Sequence, residues 1–148
     1  MKIFEIISII FNIIFGFTAA ILAVKNHNLN KRIQQVTHYK DRKLIFDKVR
    51  KYIANIVKYG NIETECPIQF ARDTKDAKFL FGDDIMQYIN KLYRKGIDMN
   101  QMTKELIKVA GNKEKEEKLI NKQRKIHEWF QKQLKEKDRK FEKYLKTT

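Results

Sequence analysis

Ile6-Ile-Ser-Ile-Ile-Phe-Asn-Ile-Ile-Phe-Gly-Phe-Thr-Ala-Ala-Ile-Leu-Ala-Val24 is a run of 19 residues without a charged side chain. As a helix rising ~1.5 Å per residue it would be roughly 28 Å long, close to the thickness of a hydrocarbon core. Twelve of its residues are Ile, Leu, Val or Phe, which together favour bilayer insertion by roughly 4–7 kcal/mol. The run therefore predicts a transmembrane anchor over residues 1–25. Two alternatives stay open. A cleaved secretion signal has a shorter apolar region and a basic start, but the alanines at 19, 20 and 23 offer a small-residue cleavage site. A buried core helix would show one apolar face, whereas this run is apolar around its circumference.

Flanking charge sets the expected orientation. Lys2 precedes the run, whereas Lys25, Lys31, Arg32, Lys40, Arg42 and Lys43 follow it against Asp41 alone. Basic flanks stay in the cytoplasm. The expectation is a single-pass protein of the inner (plasma) membrane, N-terminus outside, with the rest of the chain cytoplasmic. Ser8, Asn12, Gly16 and Ala20 recur every four residues and share a helix face. Small residues there allow two spans to approach closely, so this stripe is a candidate for association between copies.

Beyond the run the chain changes character. Its 148 residues carry 32 Lys+Arg and 18 Asp+Glu, a net charge of +14, and all of that net charge lies after Val24. One Pro and five Gly exclude collagenous or Pro-rich architectures, and one Cys excludes an intrachain disulfide framework or a cysteine metal cluster. The charge is concentrated in 25–60, at +8, and in 111–148, at +6, while 61–110 sums to zero. Anionic lipid and nucleic acid both suit such a surface. Lys far outnumbers Arg and no nucleic-acid motif is present, which argues against nucleic acid.

Strand signals are nearly absent. Residues 26–30, Asn-His-Asn-Leu-Asn, are expected to turn within a juxtamembrane basic segment, 26–40. A helix is expected over 31–59, with Ile45, Val49, Tyr52, Ile53 and Ile56 on one face and Gly60 at its end. Cys66-Pro67 reads as loop, and Ile68, Phe70 and Ala71 as the start of a short helix. Asp83 is expected to cap a helix over 84–95 that stops at Gly96, with another helix over 98–109. The last segment, 113–146, is a long amphipathic helix with Ile126, Phe130, Leu134, Phe141 and Leu145 on one side. The expected fold class is all-α: an N-terminal transmembrane helix followed by a small antiparallel helical bundle, 41–148, ending in a long amphipathic helix.

Catalytic signals are weak. His27, His38 and His127 are scattered, and His127-Glu128 lacks the second His of a helical zinc site. Cys66 has no His at a nucleophile-base spacing. Asp83-Asp84 reads as helix-start capping, and Arg72, Asp73 and Asp76 near Phe79–Phe81 read as ion pairing. No catalytic, cofactor or metal residue is assigned. Phe79, Phe81, Trp129 and Phe130 are the candidate partner surface, because aromatic residues often anchor interfaces.

Asp76-Ala-Lys-Phe-Leu-Phe-Gly82 followed by Ile85, Tyr88-Ile89 and Leu92, together with Trp129-Phe130-x-x-Gln133 and Lys140-Phe141-x-Lys143-Tyr144-Leu145, resembles a group of uncharacterised bacterial membrane-anchored proteins with a small helical cytosolic domain. The resemblance implies a bacterial origin and a helical domain, and brings no activity. The function expected is a non-enzymatic binding or scaffold module, without cofactor, engaging a protein partner or further copies of itself at the membrane. A membrane-permeabilising effector and a tethered nucleic-acid-binding module are the alternatives.

Overall fold

The computed structural model describes residues 2–60 and 63–146, apart from the side chains of residues 2 and 5–10. Among them every regular element is helical: α1 (Lys2–Tyr59), α2 (Glu65–Asp73), α3 (Ala77–Leu80), α4 (Asp83–Lys108) and α5 (Lys113–Leu145). The chain divides into two units, Met1–His38 and Tyr39–Thr148.

Helix ends follow local chemistry. Gly60 ends α1 at φ 69°, a left-handed conformation that L side chains resist, and its N–H donates to the Ile56 carbonyl at 3.0 Å. Gly111 adopts φ 95° before α5. There the Asn112 side chain accepts from the Lys115 N–H at 3.2 Å, while the Gly111 N–H donates to Glu116 Oε1 at 2.7 Å. Two otherwise unpaired N–H groups are thus satisfied reciprocally.

In the second unit the apolar residues spaced by three and four form one core. It takes Ile45, Val49, Ile53 and Ile56 from α1, Ile85, Ile89, Leu92 and Met99 from α4, and Ile126, Phe130 and Phe141 from α5. Ring pairs fix the direction of packing. Phe46 meets Phe141 at 5.3 Å and Tyr52 meets Phe130 at 6.2 Å, while the His127 ring nitrogen reaches the Val57 carbonyl at 3.1 Å. Rising numbers on α1 meet falling numbers on α5, so the two run antiparallel. Tyr144 meets Asp84, and Gln123 donates to Thr103, so α4 is antiparallel to α5 as well. Tyr52 stacks on Phe70 with centroids 4.0 Å apart, which ties α2 to α1.

The expected transmembrane helix is overturned. Among the described residues no helix is long and apolar enough to cross a membrane. Asn12, Gly16 and Thr18 dilute the apolar character of the run, and Lys25 closes it directly. The orientation assigned from flanking charge and the permeabilising alternative both rested on that span.

Three local expectations also change. Residues 26–30 are helical, because Asn and His cost only several tenths of a kcal/mol each inside a helix and no Gly or Pro interrupts them. Cys66 and Pro67 lie in the first turn of α2, where the missing proline N–H has no intrahelical role. Gly96 does not end a helix: it is buried inside α4, which runs unbroken to Lys108. The packed face outweighs the ~1 kcal/mol that a helical glycine costs.

Candidate functional site: a basic groove between two helices

The α4 residues Asp84, Gln87, Tyr88 and Lys91 are spaced by three and four and so share one face. On α5, Trp129, Lys132, Gln133, Glu136 and Lys140 do the same. Antiparallel packing sets these faces side by side along a groove of about 720 Å³, which Lys135 also lines. Its two carboxylates are already engaged. Asp84 accepts from the Tyr144 hydroxyl at 2.7 Å and pairs with Lys143 at 3.0 Å, and Glu136 pairs with Arg139 at 2.7 Å. The hydrogen bond from Tyr144, then the one from Lys143, holds the Asp84 carboxyl below the usual range.

The four lysines differ. Among the described residues none of Lys91, Lys132, Lys135 and Lys140 has a carboxylate partner. The Lys91 ammonium lies 5.5 Å from the Trp129 ring centre, and that of Lys140 lies 5.2 Å from the Tyr88 ring centre. Tyr88 is buried, and among the described residues its hydroxyl has no hydrogen-bond partner. Burial first, then Glu136 and Asp138, pushes its pKa upward, so it stays a phenol and a donor. A partly exposed phenol would pair with water; a buried, unpaired one carries an energetic deficit that an incoming acceptor relieves.

A second concavity of about 370 Å³, between α1 and α2, includes Lys48, Tyr52, Cys66 and Asp73. Lys48 is already paired with Asp73 at 3.3 Å, and Gln69 also donates to Asp73. Burial, then Glu63, pushes the Cys66 thiol upward, away from thiolate. Among the described residues no group of three or more His, Cys, Asp or Glu could hold a metal ion.

The residues singled out from sequence are placed as follows. Phe81 and Phe130 are core, Trp129 lines the groove, and Phe79 is 75% exposed. The Phe79–Phe81 and Trp129–Phe130 segments therefore do not form the expected aromatic surface. In the first unit Lys25, Lys31 and Arg32 are exposed. In the second, Lys40 is exposed, Lys43 pairs with Asp47 at 3.4 Å, and Arg42 is half-buried with Nε donating to the Leu80 carbonyl at 3.0 Å. Arg42 thus fastens α3 to α1 and is withdrawn from the basic surface. Asn12, Gly16 and Ala20 are exposed, and a Cβ added at Gly16 would meet nothing within 4 Å. The Ser8 side chain lies outside the described residues. Sequence reasoning missed Tyr88 and the four lysines as a site. Tyr88 had the spacing of a core residue, and its orphaned hydroxyl exists only in three dimensions.

Comparison with family models, curated proteins and solved structures finds no match.

Proposed function

We propose that the chain is a non-enzymatic binding module that takes an anionic partner in the α4/α5 groove. One observation carries this reading: four lysines without carboxylate partners among the described residues line one groove with a buried phenol that has no hydrogen-bond partner among them. A protein at rest gains nothing from that arrangement, because like charges repel and the hydroxyl is unpaired. An anion repairs both. The groove lining of lysines, glutamines, aromatic rings and two paired carboxylates supplies recognition groups.

Position separates this reading from the effect of net charge. Lys132→Glu with Lys135→Glu changes the total charge as much as Lys25→Glu with Lys31→Glu. On a heparin matrix, which carries closely spaced anions, the groove pair is expected to cut retention far more than the first-unit pair. Equal losses would reduce the groove to part of a diffuse basic surface.

The first unit supports a scaffold role. Phe11, Phe15, Phe17, Ile21 and Leu22 are each more than half exposed, and exposed apolar surface of this kind marks association.

A further inference from the structure

We propose that the occupant of the α4/α5 groove is an acidic peptide segment of a partner protein. The inference rests on the binding reading above and adds the class of partner. Three features favour a peptide over a polyphosphate. First, Asp84 and Glu136 stand among the lysines. Paired as they are with Lys143 and Arg139, they break the run of positive charge along the groove, which suits the spaced carboxylates of a peptide better than a nucleic-acid backbone with a charge at every step. Second, the cations are lysines, compact point charges that suit single carboxylates, and the groove lining contains no arginine fork for bidentate phosphate binding. Third, Gln87 and Gln133 line the same groove. Gln133 spends one N–H on the Trp129 carbonyl at 3.2 Å, which leaves its side-chain oxygen to accept from a peptide N–H.

The groove is also of peptide length. From Trp129 to Lys140 α5 advances about 16 Å, the span of roughly five extended residues or three helical turns. Trp129 offers an apolar wall at one end. At the other, Lys140 covers Tyr88, and a partner carboxylate that draws the ammonium aside reaches the phenol as well. Binding would then form a charge-assisted hydrogen bond where the free protein has none.

The test is fluorescence anisotropy on the full chain with three labelled probes. They are a peptide of about 12 residues with Glu at every third or fourth position and one Leu, an oligothymidylate of similar charge, and vesicles containing phosphatidylserine. The peptide is expected to bind. Lys132→Glu with Lys135→Glu should weaken it at least about tenfold, and Lys25→Glu with Lys31→Glu by less than about twofold. Tyr88→Phe should weaken peptide binding severalfold while leaving the melting temperature equal or higher, since it deletes an unpaired buried hydroxyl. If the oligonucleotide or the vesicles bind through Lys132 and Lys135 and the peptide does not, the peptide inference is overturned and the anion-binding groove stands. If no probe responds to those two lysines, both are overturned.

Discussion

Tyr144 shows how much one side chain near the end of α5 controls. Its hydroxyl accepts from the Gly82 N–H at 3.1 Å and donates to Asp84 at 2.7 Å, and its ring packs edge-on to Phe81. Glycine at 82 leaves room for that hydroxyl and is not needed for backbone conformation: an added Cβ would lie 2.7 Å from the Tyr144 oxygen and force it to shift. Tyr144→Phe is expected to lower stability by about 1 kcal/mol, and Gly82→Ala by at least as much, both read by urea denaturation. The Asp84 carboxyl is held low in the folded state. Its contribution is therefore complete above its unfolded pKa near 4 and fades as pH falls through the depressed folded value. The stability gap between native protein and Tyr144→Phe should accordingly narrow on acidification, which paired melts near neutral pH and below pH ~3 would measure. None of this was legible in sequence, where Asp84 read as a helix-start residue. Lys137 was equally hidden. It is buried because its stem packs in the fold while its ammonium bonds the Leu134 carbonyl at 2.6 Å and both Asp138 oxygens.

At the scale of elements the apolar spacing carried most of the fold. The faces of α1, α4 and α5 came directly from residues three and four apart, and the Gly60 boundary came from cap chemistry, whereas the Asn112 cap was not read. Failures fell where local signals compete with packing. Gly96 looked like a stop and is a buried interior residue, and Cys66-Pro67 looked like loop and opens a helix. Adjacent aromatic residues were also misjudged as a group. Neighbours on a helix point about 100° apart, so Phe130 enters the core while Trp129 turns to the groove, and Phe81 is buried two residues after exposed Phe79. Mutation should sort them. Phe130→Ala or Phe141→Ala is expected to cost about 3–5 kcal/mol, and Phe79→Ala less than about 0.5 kcal/mol, by thermal or denaturant unfolding.

For the whole molecule the sequence located the basic charge and the apolar run correctly and misassigned what the run does. The exposed apolar side chains of the first unit instead predict concentration-dependent association. Replacing Phe11, Phe15 and Phe17 with Ser should shift sedimentation velocity profiles toward the monomer, with the helical circular dichroism of the second unit retained. The second unit has a further property, which concerns its synthesis. Arg42 reaches Tyr144, Phe46 reaches Phe141, and Val57 reaches His127, so the start of this unit is finished only by its end. Loop closure over such separations precedes any reward in contacts. A nascent chain stalled on the ribosome before Phe141 would therefore hold α1 and α4 with their apolar faces uncovered. Arrest at successive lengths should show protease resistance arriving in one step, once residues 141–144 have left the exit tunnel, and not helix by helix.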